Sequence, residues 1–255
     1  MPADPRSLSP AALDRVTRVL LCALAAAGTL AAWAWLGGEA GPLSQSAILT
    51  PHAHGGEASG FLSAVLMAQV MTIAMMTPTF LRWLLVFADL TPSGQGHSAR
   101  IRRAAALTAG YLAAWLAYSL AVAAVQGVLQ AGGFLRDGRL ASVTGGVLLV
   151  LAGAFQFAPI KRACLAHCRN PLSFFLARWR GGPGGGFRLG AIHGAYCMGC
   201  CWLLMATGLA MGVMNLAWMA VLTVVIAAEQ VLPHGERVAA ALGLGMAGWG
   251  IALLL

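Results

Sequence analysis

Charge is scarce in this chain. Only 9% of its 255 residues are Asp, Glu, Lys or Arg, and 59% are hydrophobic, whereas a soluble domain carries about 25% charged residues. That excludes a water-soluble globular fold and points to an integral membrane protein. Acidic residues are the rarest, eight against sixteen basic ones, for a net charge of +8. In so apolar a chain the basic excess marks cytoplasmic loops and not a nucleic-acid surface. The six cysteines are too few and too clustered for a disulfide scaffold. No phosphate-loop motif is present and no Ser/His/Asp set can be placed, so neither a nucleotide-driven enzyme nor a hydrolase is indicated.

What is present is a series of long apolar runs. Seven read as membrane spans: Val19–Leu36, Phe61–Leu90, Ala104–Gln130, Leu140–Pro159, Phe187–Gly212, Met214–Leu232 and Val238–Leu255. The expected fold is therefore an all-α polytopic transmembrane bundle of about seven spans. Six is the alternative, if the first run is cleaved as a signal peptide or the last does not cross. No small-x-small cleavage site follows the first run, which favours its retention. Residues 1–18 form an N-terminal cytoplasmic tail, 19–255 one transmembrane domain, and 161–186 a basic loop. Arginine and lysine gather in the segments that lie inside if the N-terminus is inside, while the outer loops hold only Arg136 and Arg139. The expected location is a bacterial inner membrane.

Five of the six cysteines fall between residues 164 and 201. The centre is His193-Gly-Ala-Tyr-Cys197-Met-Gly-Cys200-Cys201 in the fifth span. At 100° per residue, Cys197, Cys200 and Cys201 lie near ~40°, ~−20° and ~80° from His193, one helix face. Gly190/Gly194 and Gly208/Gly212 are small-xxx-small pairs that admit a neighbouring helix. Cys164 and Cys168 share a face of any helix formed there. Their basic flanks place them at a cytoplasmic rim, apart from the interior thiols unless the segment folds back into the bundle. Cys22 reads as a packing residue.

Other candidates are weaker. Met67, Met71 and Met75, with Met76 adjacent, form a stripe of soft thioethers that suits Cu(I) or ordinary packing. Pro78 should free a carbonyl one turn earlier. Met205 follows Cys201 by one turn. Asn215 and Glu229 share a face of the sixth span, where Glu229 is either a snorkelling end residue or a buried acceptor. His52, His54 and Glu57 read as a solvated loop before a metal site.

These pieces carry a resemblance. Ala74-Met75-Met76-Thr-Pro78, Lys161-x-x-Cys164-Leu-x-x-Cys168-Arg169-x-Pro171, Cys197-x-Gly199-Cys200-Cys201-Trp202-x-Leu-Met205 and Met214-Asn215-x-x-Trp218-Met219 stand in order over about residues 70–235. The chain resembles a bacterial family of integral-membrane proteins described as predicted metal-binding. After Glu229 that family's pattern expects a lysine, and here Gln230 stands. The resemblance implies metal binding without naming a reaction or an ion.

The leading reading is a metal-handling membrane protein. Cys197, Cys200 and Cys201 are primary ligands, and His193, Cys164, Cys168, Met75, Met76 and Met205 are additions. The cargo is Cu(I) or Zn, and the partners are the lipid bilayer and another membrane or metal-trafficking protein. A thiol–disulfide oxidoreductase using Cys197/Cys200 is the alternative, and a structural subunit with packed cysteines is a third.

Overall fold

The computed structural model describes residues 15–39, 57–91, 96–136, 139–140, 142–179, 184–211 and 215–255. His52 and His54 lie outside these residues, and Glu57 opens the second helix. The fold is an all-helical bundle. In chain order the elements are α1 (Arg15–Glu39), α2 (Glu57–Asp89), α3 (Gly96–Ala131), a two-residue strand pair β1 (Leu135–Arg136) and β2 (Arg139–Leu140), α4 (Ser142–Phe155), α5 (Pro159–Arg169), α6 (Pro171–Arg178), α7 (Gly185–Ala206), α8 (Gly208–Met211), α9 (Leu216–Val231) and α10 (Gly235–Leu254).

Each expected apolar run is helical, but not each is a full span. Among the described residues, five helices are long and apolar enough to cross a membrane: α1, α2, α3, α7 with α8, and α10. A sixth arises only if α4 and α5, bent by 63° at the break between them, count as one. The remaining run, the sixth in chain order, is α9, sixteen residues long. That is about 24 Å, short of the roughly 30 Å hydrocarbon core. The expected seven spans thus become five, or six with the bent pair, because α4 and α9 are too short.

Glycine brings the central helices together. A Cβ on Gly110 of α3 would meet the Phe187 carbonyl oxygen at 1.9 Å, and one on Gly190 of α7 would meet that of Leu107 at 1.9 Å. Gly194 is closed off in the same way by Tyr111 and Ala114. As positions rise along α3 they rise along α7, so the two helices run parallel in backbone contact. Gly146 and Gly153 of α4 meet Gly250 and Gly243 of α10 in the opposite sense. Gly245 and Gly248 face open space, as does Gly208. Gly208 therefore makes no such contact, and Gly212, its expected pair, lies outside the described residues.

Proline and asparagine shape the rest. Pro78 stays inside a continuous α2, and the carbonyl it cannot bond, that of Ala74, accepts the Trp33 indole N–H at 3.1 Å. Pro159 and Pro171 occupy the first turns of α5 and α6, where a missing N–H costs nothing. The expected basic loop 161–186 is therefore largely two short helices.

Burial is inverted relative to a soluble protein. Leu24, Leu30, Val128, Val224 and Leu244 face outward, while Lys161, His193, Glu229, Gln156 and Gln230 are buried. Such a surface suits an apolar solvent, and buried polar groups in such a setting mark function.

Candidate metal centre

The site forms where α5 folds back against α7. On α5, Lys161, Leu165 and Cys168 are buried at i, i+4 and i+7, the spacing of one helix face. On α7, Cys197, Cys200 and Cys201 are each at most 1% exposed. Their three Sγ atoms lie within 4.8 Å of one another. Cys168 Sγ stands 4.0 Å from Cys200 Sγ, so four buried sulfurs come from two helices. Gly199 makes this approach possible: a Cβ there would meet Cys164 Sγ at 2.9 Å. Cys164 is half-buried against the same face.

The rim and interior stations expected from the sequence are thus one site. The basic residues misled because they were assigned to a loop. In the fold they spread over an amphipathic helix, with Lys161 turned inward. All six cysteines are free thiols. Two of the thiols are held back on their own helix: Cys200 and Cys201 donate to the Cys197 carbonyl at 3.0 and 2.9 Å. Cys197 Sγ meets the Tyr111 hydroxyl of α3 at 3.3 Å. Gln230 Nε2 of α9 reaches Cys197 Sγ at 3.8 Å and Cys200 Sγ at 3.9 Å. The sulfurs therefore face donors on α3 and α9.

This donor set fits a soft ion. In a tetrahedron with 2.3 Å metal–sulfur bonds the ligands stand about 3.8 Å apart. The cluster needs to contract by little more than an ångström, by rotation of short side chains. Thiolate donors suit Cu(I) and Zn.

The remaining candidates are buried or partly buried. His193 is 2% exposed and stacks on Trp83 with ring centroids 3.5 Å apart. Tyr111 and Phe80 stack at 5.4 and 6.1 Å. Its Nδ1 has no hydrogen-bond partner. It does not join the three-cysteine group. Met75 and Met76 are fully buried in α2, and Met205 is partly buried one turn past Cys201. Asn215 is a helix cap: its side-chain oxygen accepts from Trp218 N at 3.0 Å at the start of α9.

Glu229 is the buried acceptor and not a snorkelling end residue. Its Oε2 lies 2.8 Å from Lys161 Nζ, both side chains being 1% exposed, and Lys161 also donates to Gln156 Oε1. Gln230, the next residue on α9, faces sulfur instead. Lys161, Gln156, Gln230 and Tyr111 escaped sequence reasoning. Only Lys161 carried a signal, three and seven residues before two cysteines on the same helix face.

A buried thiol cluster inside a helical bundle suits a soft metal ion, and the long apolar helices around it are compatible with a membrane. The comparison with known families agrees: the family described as PpoB2: Copper chaperone matches over residues 65–253, and the chain belongs to it. No curated protein and no solved structure matches.

Proposed function

We propose that this protein is a membrane-embedded Cu(I) chaperone that holds copper on Cys197, Cys200, Cys201 and Cys168 and passes it to another membrane or trafficking protein. The observation that carries this is the group of four buried sulfurs from α5 and α7. Membership of a copper chaperone family favours copper over zinc. Thiolates bridging two helices can release an ion stepwise, one helix at a time. The long apolar helices support a multi-pass placement. Basic residues at the Arg82, Arg169 and Arg237 end support a cytoplasmic orientation for that end, with the N-terminus inside a bacterial inner membrane.

The test is metal analysis of detergent-purified protein loaded with Cu(I), wild type beside Cys197→Ser/Cys200→Ser. Wild type retains copper through dialysis and the double variant loses most of it. Equal retention sinks the assignment.

A second reading rests on one contact. Cys168 Sγ and Cys200 Sγ, 4.0 Å apart on different helices, would need to close to about 2.05 Å to form a disulfide, releasing two electrons and two protons to a disulfide-bearing partner. A trapped mixed disulfide in Cys200→Ser would favour that reading.

A further inference from the structure

A cavity of about 330 Å³ opens at the end of the bundle where α9 turns into α10. Arg82, Ala166, Arg169, Asn170, Gln230 and Glu236 line it. Two features connect it with the thiols. Gln230 belongs both to the cavity wall and to the cluster, its amide nitrogen 3.8 and 3.9 Å from two sulfurs. One side chain therefore stands between cavity and site. Ala166, Arg169 and Asn170 sit at the C-terminal end of α5 and just beyond, next to Cys168.

The cavity is also charged at its mouth. Arg169 is held in place: it donates to the Leu232 carbonyl at 2.7 Å and to that of Pro233, with Glu236 at 4.0 Å. Arg82 is exposed and donates to the Arg169 carbonyl at 3.2 Å, from a group with five N–H donors. Glu236, 68% exposed, is the one acidic group in the lining and sits 4.0 Å from Arg169 Nη1. Two arginines against one glutamate leave the lining net positive, with Arg82 the cation not paired to Glu236.

We propose that this cavity is the vestibule through which copper reaches and leaves the thiol cluster as a Cu(I) complex of a small, carboxylate-bearing thiol. Arg82 and Arg169 bind its carboxylates, and Gln230 is the partition that swings aside. The size decides between small carrier and protein donor: about 330 Å³ is at the low end of small-molecule pockets and admits no folded domain. Transfer is ligand exchange at constant oxidation state. A copper–sulfur bond to the carrier breaks as one to a cysteine Sγ forms, and the cysteine proton leaves on the departing carrier thiolate.

This inference rests on the copper reading, so the experiment separates the two. Full-length protein in detergent is mixed with Cu(I) supplied either as its glutathione complex, which is anionic, or as its acetonitrile complex, which is not. Copper uptake is followed by the ultraviolet absorption of Cu(I)–thiolate bonds. The expected result is that Arg82→Gln slows uptake from the glutathione complex about tenfold, the scale of electrostatic steering. Uptake from the acetonitrile complex, which is a cation, is not slowed, and final copper content stays as in wild type. Gln230→Ala, which removes the partition, speeds exchange with the glutathione complex. Equal rates for wild type and Arg82→Gln with both donors, equal slowing with both, or no effect of Gln230→Ala overturns the vestibule while leaving copper binding in place. Failure of wild type to take copper from either donor overturns the copper reading itself.

Discussion

Lys161 Nζ lies 2.8 Å from Glu229 Oε2, an ion pair joining α5 to α9 with both side chains all but sealed from solvent. A buried pair offsets two desolvation penalties with one strong contact, so removing one partner is worse than removing both. It also ties the helix that carries Cys168 to the helix that carries Gln230. The pair is thus a clamp on the metal centre as well as a polar island in the core.

The clamp yields the first prediction. Lys161→Met strands the Glu229 carboxylate and costs about 3–5 kcal/mol. Lys161→Met/Glu229→Leu recovers most of that loss. Thermal unfolding in detergent measures both. A double variant less stable than the single one would show that the pair does not act as a unit.

Helix contact gives the second. Gly190→Val drives a side chain into the Leu107 carbonyl, 1.9 Å from where its Cβ would stand. The α3–α7 seam must separate, and the protein should fail to accumulate folded. Gly245→Ala meets nothing within 4 Å and should be neutral or stabilising by up to about 1 kcal/mol, since alanine favours helix. Size-exclusion profiles of the two variants check the contrast.

Thiol access gives the third. Cys164 is half-buried while Cys168 and Cys201 are 2% and 0% exposed, and single-cysteine variants isolate each thiol. A polar maleimide should label Cys164 at least about tenfold faster than either, since thiol reactivity follows access. Equal labelling of Cys164 and Cys168 would mean that α5 swings away from α7 in solution.

Division of labour between stability and binding gives the fourth. Asn215→Ala removes the cap of α9 and should cost about 1 kcal/mol with copper content unchanged. Cys168→Ser should do the reverse, lowering copper retention with little change in melting temperature. Paired melting and metal assays on the two variants decide this. Loss of copper in Asn215→Ala would show that this residue does more than cap a helix.

The sequence by itself determined the helical class, the apolar outer surface and the cysteine face of α7. Each of these follows from local facts: composition sets the solvent a chain prefers, and a 100° turn per residue sets which side chains share a face. It also determined the carbonyl freed by Pro78, though not that Trp33 would take it. Tertiary structure alone decided that Cys168 joins Cys200, that Lys161 meets Glu229 sixty-eight residues away, and that Gln230 and Tyr111 face sulfur. It also turned Asn215 into a cap and shut His193 between aromatic rings. Those outcomes depend on how a 63° bend folds α5 back onto α7 and on which glycines let backbones touch. Neither is written in the period of any one helix. A basic stretch looks the same on paper whether its lysine points to water or into the core, and only the packing of the other helices against α5 settled which.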